Sequence, residues 1–494
     1  MDIKNDKLVR DKFFNHALFA LMFLLICRLV SMYFIPLNDV SEARYGEIAR
    51  KMLETGNWVT LFHDYGVPFW AKPPLSTWLS AASMKLFGVN ELAVRLPGLL
   101  LSIAIVWLVW DLAKKHSGST IATLSAIVLS GTLYFFLDAG TVMTDPSLIF
   151  CTTLVLVSFW HAVVNESKFW SYLFFVGIGL GLLAKGPVAG VLVGMPLFFW
   201  VLIRNQWLNL WKRLPWFKGI LLVLAIALPW YILAELRTPG FLNYFIVGEH
   251  FHRFVTPGWT GDKYGYAHQE HWGMIWAFAV LGIFPWCFLG SAWLVKYRKG
   301  LPALFADNDG WLGYLFGCTV VPLFFFTFSS NIIYTYVFPS LPFFALFFTE
   351  YWVRAGVMLN AKKLIVGLSL ITGVMFLVAA VVFNVMPNLV AKTQKPVINT
   401  WLHQNPAMGS KLVYWDYKTE FSAQFYSGGK VRNTQDNKVL CQLLANHVAD
   451  YVVMHPEYII TISPEILPHL TQVGQVIAAG SPLLLLRSSH ITCS

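Results

Sequence analysis

Apolar residues in this chain are gathered into long runs that are separated by shorter polar segments. Each run is about 20 residues long, the length that a helix needs to cross a hydrocarbon core roughly 30 Å thick. The pattern therefore predicts about 11 to 13 membrane-spanning helices. Eleven runs are distinct, at residues 14–35, 92–112, 119–137, 147–164, 169–186, 187–203, 219–235, 273–295, 311–328, 335–350 and 364–386.

The pattern changes after the last apolar run. Residues 388–404 have a helical period, whereas 411–415 and 450–454 are typical of strands, and 475–487 contains a strand pair around Gly480. We therefore expect an all-α polytopic membrane bundle over residues 1–386. A small α/β domain is expected over residues 387–494.

Composition supports a membrane protein and gives it an orientation. The chain is 57% hydrophobic and 13% charged, whereas charged residues make up about a quarter of an ordinary soluble domain. The net charge of +10 does not indicate nucleic-acid binding, because the basic residues fall in alternate loops between the spans. By the positive-inside rule these turns are cytoplasmic. We therefore expect a cytoplasmic N-terminus and an extracytoplasmic C-terminal domain.

Cysteines add little to this picture. Cys27, Cys151, Cys287 and Cys318 lie within apolar runs, where cysteine is mostly a small packing residue. Cys441 and Cys493 lie in the C-terminal domain and could form a disulfide in an oxidising compartment, although two cysteines without a spacing motif do not establish one.

Three outer loops are longer or more polar than a simple connection requires, at residues 37–91, 138–146 and 236–272. Function is expected there, because loops on a rigid scaffold often carry it. In the first loop, the stretch Glu42–Glu54 has the pattern of an amphipathic helix on the membrane surface. A second helix is predicted after Pro73 and Pro74.

Acidic residues stand at the outer ends of two spans. Asp39 and Glu42 follow the first span, and Asp145 opens the fourth. Ionised groups at this depth are costly unless they are solvated or paired, so they are candidates for function. A capping role for Glu42 and Asp145, and simple solvation of Asp39, remain open alternatives.

Cations at the outer side break the positive-inside pattern. Lys72 lies among aromatic residues and prolines, Lys185 ends the fifth span, and Arg253 lies in the third large loop. Together they indicate a phosphate or an anionic lipid headgroup as ligand. Lys72 could instead extend toward lipid headgroups without binding a substrate.

Several motifs resemble those of the polyprenyl-phosphate-sugar-dependent GT-C glycosyltransferases. Within that class the chain is most similar to the bacterial aminoarabinose transferase and protein mannosyltransferase-like (PMT) group, over about residues 10–350. The motifs that carry the resemblance are Asp39-x-x-Glu42-Ala43-Arg44-Tyr45, Lys72-Pro73-Pro74, Thr144-Asp145-Pro146, Lys185-Gly186-Pro187, Glu249-His250 with Arg253-Phe254, and Thr335-Tyr336-Val337-Phe338-Pro339.

The resemblance implies transfer of a sugar from a polyprenyl (undecaprenyl) phosphate at the outer face of the bacterial inner membrane. Lipid A, another envelope glycan or a protein would be the acceptor. The absence of a Walker or Rossmann fingerprint from the sequence agrees with a donor that is not a nucleotide sugar.

The resemblance also implies residue roles. Asp39 would be the preferred general base or acceptor-orienting carboxylate, with Asp145 as a second active-site carboxylate and Glu42 as the alternative to Asp39. The donor phosphate would be held by Lys72, Lys185, Arg253 and Tyr336. The residues expected to support this site are Arg44, Tyr45, Glu249 and His250.

Two departures from the family pattern affect these roles. Several relatives have Asp-Glu where this chain has Ser41-Glu42, which leaves the catalytic carboxylate open between Asp39 and Glu42. Relatives of the aminoarabinose type have a glutamate at the position of Ala71, and it pairs with a histidine matching His250 at a divalent metal. A metal site at His250 is therefore open, and no cofactor is assigned.

A flippase or transporter of lipid-linked sugars is the main alternative. Such a protein is expected to place ionisable residues near the bilayer midplane. In this sequence only Arg28 lies plainly within a span, whereas the charged motifs cluster at the outer ends. This distribution favours chemistry at the membrane surface.

Overall fold

The computed structural model describes residues 3–265, 268–297, 309–357, 361–386, 391–418, 420–445 and 447–489. Within these ranges, seven helices are long and apolar enough to cross a membrane, and a bent helix pair gives an eighth candidate. The helices up to residue 386 are Ile3–Phe34, Ser41–Thr55, Leu75–Phe87, Glu91–Ser117, Ser119–Ser130, Leu133–Asp138, Asp145–Val163, Lys168–Lys185, Pro187–Arg204, Trp207–Arg213, Trp216–Arg237, Arg253–Val255, Met274–Gly282, Trp286–Tyr297, Trp311–Thr327, Leu341–Arg354 and Lys362–Val385, with a π-helix at Asn243–His252 and a 3-10 helix at Tyr334–Ser340.

Each of the eleven predicted runs coincides with a helix or with a pair of helices. The predicted class, a polytopic helical membrane bundle with a small C-terminal α/β domain, is therefore confirmed. The exact number of crossings stays a prediction.

Three predicted runs are broken where the sequence pattern is continuous. The run 119–137 is interrupted at Gly131, where a Cβ atom would lie 2.7 Å from the Cβ of Ser369 on the last helix. The Thr372 hydroxyl of that helix also donates to the Gly131 carbonyl at 2.7 Å. Close approach of two helices thus explains this break.

The other two breaks occur at prolines. The pair Met274–Gly282 and Trp286–Trp293 is bent by 105°, and Pro285 lies in the break. Pro339 lies in the 3-10 helix that precedes Leu341–Arg354. Proline has no backbone N–H to donate, so a regular helix is interrupted there.

The first outer loop is folded into the protein. Its helix Ser41–Thr55 and the helix Leu75–Phe87, which follows Pro74, confirm the two predicted helices. The predicted position of the first one on the membrane surface stays a prediction, but its polar side does not face solvent, because Glu47, Arg50 and Lys51 are buried. Arg50 bonds to Glu47 and Lys51 bonds to the His63 carbonyl, so this face meets protein partners.

Strands occur in the first loop and in the C-terminal domain. β1 (Phe62–Asp64) and β2 (Val67–Pro68) form a hairpin, and the other strands are β3 (Leu412–Trp415), β4 (Val431–Thr434), β5 (Tyr451–Met454), β6 (Leu470–Ala478) and β7 (Ser481–Ser488). The five-stranded sheet has the order β4-β3-β5-β7-β6. β3 is parallel to β4 and β5, whereas β7 is antiparallel to β5 and β6.

Both faces of this sheet are buried, as the apolar runs of its central strands require. One face packs in a core with Trp401 and Ala423, and the other packs with Leu440 and Leu444. The helices of the domain are Lys395–His403, Phe421–Ser427 and Asn437–Leu444, with short 3-10 turns at Pro456–Thr461 and Leu467–His469.

Candidate functional site

Two spans end at the same side of the bundle and bring a carboxylate to an ammonium group. Asp145 opens its helix and Lys185 closes the next one, and these antiparallel neighbours pack along their length. The Lys185 Nζ atom donates to Asp145 Oδ1 at 2.6 Å. Since Asp145 and Lys185 touch, both lie at one mouth of the bundle.

A second charged group joins the first and third outer loops. The Lys72 ammonium donates to Glu249 Oε2 at 3.0 Å. The Arg253 guanidinium lies 3.1 Å from Glu249 Oε1 and 3.1 Å from Asp262 Oδ2. Two cations from distant parts of the chain thus converge on one buried carboxylate.

These two groups are neighbours. Tyr45 and Tyr336 both lie within electrostatic range of Lys185 and of Arg253. The Lys185 ammonium also lies 5.6 Å from the centre of the Tyr336 ring. The structure therefore brings six of the predicted site residues into one cluster: Lys72, Asp145, Lys185, Glu249, Arg253 and Tyr336, with Tyr45 beside them.

The π-helix Asn243–His252 places Glu249 in this cluster. Glu249 is buried on the same element as Tyr244 and Phe245. The Tyr244 hydroxyl lies 3.3 Å from Glu249 Oε1. π-Helical turns are rare and occur frequently at functional sites.

Mutual attraction keeps Glu249 and its cationic partners charged. Burial acts to raise the pKa of Glu249, but Lys72 and Arg253 outweigh it and hold that pKa below its ordinary value. Burial likewise opposes the charge on Arg253, but Glu249 is the main partner that raises the pKa of Arg253. The cluster is a site where an anion already sits between two cations.

His250 is held by the backbone. Nδ1 lies 2.8 Å from the Phe245 carbonyl oxygen and Nε2 lies 3.1 Å from that of Lys185. Burial lowers its pKa. Both ring nitrogens face carbonyls, so neither is directed at a metal. Within the described residues, no group of three His, Cys, Asp or Glu side chains is arranged to hold a metal ion.

Glu42 is paired with a buried arginine. Arg95 donates to both Glu42 carboxylate oxygens, at 2.8 and 2.7 Å. Its Nη1 also donates to the carbonyls of Met32 and Ile35 at 2.7 and 2.5 Å. Glu42 thus fixes the exit of the first span.

Asp39 faces the C-terminal domain. Its Oδ1 accepts from the Ser422 N–H at 2.9 Å, and its Oδ2 accepts from the Ser422 hydroxyl. Burial raises the pKa of Asp39 to about 7, although the bonds from Ser422 oppose the shift. The structure therefore brings Asp39 to Ser422, and not into direct contact with the cations.

Arg44 joins the first and third loops. Its Nη1 donates to the Tyr264 carbonyl at 2.5 Å, and its guanidinium lies 5.4 Å from the centre of the Tyr45 ring. This contact holds the residues next to Tyr45 against the third loop.

Sequence reasoning missed three residues of this region. Asp262 pairs with Arg253, and Tyr244 bonds to Glu249. Asp138 is buried at the end of its short helix, which Arg28 holds by donating to the Leu137 carbonyl at 3.0 Å. Asp262 and Tyr244 lie in the loop 236–272 and Asp138 in the loop 138–146, but their types and spacing form no motif.

Comparison with known proteins agrees with this architecture. A family model described as dolichyl-phosphate-mannose-protein mannosyltransferase matches residues 13–245. The undecaprenyl phosphate-alpha-4-amino-4-deoxy-L-arabinose arabinosyl transferase of Yersinia pestis (strain Pestoides F) is 31% identical over 357 residues, which is 68% of this chain and 58% of that protein. The arabinosyl transferase 1 of Pseudomonas fluorescens (strain Pf0-1) is 27% identical, over 64% of this chain and 55% of that protein. The chain matches little more than half the length of these relatives.

Solved structures share the whole fold. ArnT from Cupriavidus metallidurans bound to undecaprenyl phosphate superposes with a TM-score of 0.76 at 18% identity, over 97% of this chain and 99% of that chain. Its apo structure gives a TM-score of 0.74 at 17% identity. The fold is therefore that of the GT-C membrane glycosyltransferases. Within that class, the similarity to the aminoarabinose transferase and PMT group that the motifs indicated is confirmed.

Proposed function

We propose that this protein transfers a sugar from an undecaprenyl-type phosphate to an acceptor of the cell envelope. The observation that carries the proposal is the convergence of Lys72 and Arg253 on one buried carboxylate, with Lys185 and Tyr336 alongside. Such an arrangement, at the mouth of a membrane bundle, suits the phosphate head of a membrane lipid. The names of the arabinosyl transferase relatives support the same donor class.

The cations would act on the leaving group. When the acceptor oxygen attacks the anomeric carbon, the bond between sugar and phosphate breaks and its electron pair stays on the lipid phosphate. Lys72, Arg253 and Lys185 would stabilise the charge that develops there. The Arg253 guanidinium would add directional hydrogen bonds to phosphate oxygens.

A carboxylate would accept the proton of an acceptor hydroxyl. Asp145 is the catalytic candidate that directly contacts one of these cations, Lys185. Glu42 is engaged by Arg95, and Asp39 is engaged by Ser422. We therefore assign the proton-accepting role to Asp145.

The site would face the periplasm from the inner membrane, with the N-terminus in the cytoplasm. The basic ends of helices such as Glu91–Ser117 and Pro187–Arg204 lie opposite the end that carries Asp145 and Lys185, which supports this orientation. Cys441 is disulfide-bonded, as suits an oxidising compartment, whereas Cys493 lies outside the described residues. Lipid A, another glycan or a protein would be within reach as acceptor.

Radiolabel transfer tests the function. Membranes that contain the protein would receive undecaprenyl phosphate carrying labelled 4-amino-4-deoxy-L-arabinose, and in parallel other undecaprenyl-phosphate sugars. We expect label in an envelope acceptor, with a loss of about tenfold or more in Lys72→Ala, as for a charge-assisted hydrogen bond. Lys85→Ala, an exposed lysine of the same loop, is the matched control. Label that only crosses the membrane, with none in an acceptor, would favour a flippase.

A further inference from the structure

The C-terminal domain meets the membrane bundle at the exit of the first span. The Asp39 N–H donates to the Lys392 carbonyl at 2.7 Å. In return, the Lys392 N–H donates to Asn38 Oδ1 at 3.1 Å. The Leu37 N–H donates to the Tyr426 hydroxyl at 2.8 Å. Three consecutive residues of the first loop thus bond to one domain.

The Asp39 carboxylate is the centre of this contact. Ser422 is fully buried, and both its N–H and its hydroxyl donate to Asp39. The Ser422 hydroxyl oxygen also accepts from the Gln394 N–H at 2.8 Å. Because buried polar groups are costly when unpaired, removal of either partner leaves donors of the domain without an acceptor.

Apolar packing continues the contact. Phe425, on the same short helix as Ser422, lies in one core with Ala43, Tyr45 and Ile48 of the helix Ser41–Thr55. A Cβ atom added to Gly46 would lie 3.5 Å from the Phe425 ring. The domain therefore packs directly on the helix that carries Arg44 and Tyr45.

Arg95 holds the start of the first loop from the side of the membrane bundle. Its guanidinium donates to Glu42 and to the carbonyls of Met32 and Ile35 at the end of the first span. Residues 35–42 are thus held between Arg95 on the bundle side and Ser422 on the domain side. Tyr45 follows within one helical turn and lies within electrostatic range of Lys185 and Arg253.

We infer that Asp39 is a positioning residue: through Ser422 it docks the C-terminal domain onto the first loop, and this docking sets the position of Tyr45 beside the cations. The role at the cations rests on the proposed function, whereas the docking does not. An acceptor side chain is needed at position 39, but a negative charge is not. Asparagine retains a carbonyl oxygen for the Ser422 N–H, and the serine hydroxyl can rotate to accept from the amide.

Hydrogen exchange of the purified full-length protein tests the docking without any ligand. We expect Asp39→Ala and Ser422→Ala each to speed amide exchange in residues 36–45 by about tenfold, the range for a lost buried hydrogen bond. Amide exchange in the double variant should be little faster than in either single variant, because both substitutions remove the same contact. In Asp39→Asn, the rate of amide exchange in these residues should stay close to that of the wild type. Ser427→Ala is the control, since its hydroxyl bonds within its own helix, to the Gln424 carbonyl.

Binding of undecaprenyl phosphate and label transfer give the second readout. Asp39→Ala and Ser422→Ala should weaken both, and Asp39→Asn should spare both. If Asp39→Asn abolished transfer with unchanged exchange, while Ser422→Ala matched wild type, Asp39 would be a proton acceptor and the inference would be overturned. Absence of lipid binding by the wild type would instead overturn the proposed function, whatever the exchange data show.

Discussion

Glu249 occupies the place between Lys72 and Arg253 that a phosphate would need. Its carboxylate lies 3.0 Å from the Lys72 ammonium and 3.1 Å from the Arg253 guanidinium. Asp262 and Asp145 neutralise the remaining charge of Arg253 and Lys185. A lipid phosphate must therefore compete with carboxylates of the protein itself.

This competition predicts the effect of Glu249→Gln. Removal of one negative charge from the cluster should strengthen undecaprenyl phosphate binding by roughly tenfold, or about 1.4 kcal/mol. Glu270→Gln makes the same charge change at an exposed position of the third outer loop and should leave the dissociation constant unchanged. Weaker binding by Glu249→Gln would mean that Glu249 orders the two cations for the donor.

Glu42 is predicted to act through stability. Glu42→Gln would leave the buried Arg95 without its charged partner, at a cost of about 3 kcal/mol. Thermal unfolding in nanodiscs should show a clear drop in midpoint. Glu54→Gln, which alters an ion pair at an exposed carboxylate, should cost about 1 kcal/mol or less. A stable Glu42→Gln protein that had lost all transfer would contradict this structural role.

The sequence identified the cations more readily than their partners. Lys72, Lys185 and Arg253 were recognisable because they violate the positive-inside pattern. Nothing local indicates that Asp262 pairs with Arg253, because their approach depends on the folding of the third loop. Ser422 could not be linked to Asp39 either, since they are far apart in the chain and belong to different domains.

At the scale of elements, hydropathy located the spans because burial in lipid requires long apolar runs. It could not locate the breaks, which depend on close contacts such as Gly131 against Ser369. It also could not show that the polar side of the helix Ser41–Thr55 is buried, because partners such as the His63 carbonyl of Lys51 come from a later part of the loop.

The link between two spans gives a prediction at this scale. Gly186 has φ +75°, and a Cβ atom there would lie 2.5 Å from Phe245 Cζ and 3.1 Å from His250 Cε1. Gly186→Ala should therefore strain the backbone, displace the π-helix from Lys185 and destabilise the protein by at least 1 to 2 kcal/mol. We expect a lower midpoint of thermal unfolding and weaker binding of undecaprenyl phosphate. Gly190→Ala, in open space on the next helix, is the control, and equal behaviour of the two variants would contradict the prediction.

For the whole molecule, the fold class and the clustering of the charged motifs at one end of the bundle were predictable, but the role of the C-terminal domain was not. The domain has no catalytic motif in its sequence, and its contribution depends on contacts across the domain boundary. In the structure these contacts converge on residues 37–39, which include Asp39, a residue that the sequence had singled out for chemistry.

Docking of this domain should depend on pH. Burial raises the pKa of Asp39 to about 7, so the docked state favours the protonated carboxyl. Docking should thus be strongest at acidic pH and weaken as pH rises through about 7. Glu420 faces Asp39 and has a pKa raised by burial, so it should act in the same direction, while Lys418 opposes that shift.

Exchange in residues 421–427, corrected for the intrinsic pH dependence of amide exchange, measures this effect. It should rise between pH 5.5 and 8.5 in the wild type and rise much less in Asp39→Asn. The same rise in both proteins would show that Asp39 does not control docking.

The most direct test of the whole account is the affinity of the purified protein for undecaprenyl phosphate. We predict that the double variant Lys72→Ala/Arg253→Ala loses about a hundredfold or more, since two charge-assisted contacts are removed. Lys85→Ala/Arg237→Ala removes two exposed cations from the same side and should bind like the wild type. Equal affinity of the Lys72/Arg253 variant and the wild type would contradict the central claim that these cations hold the lipid phosphate.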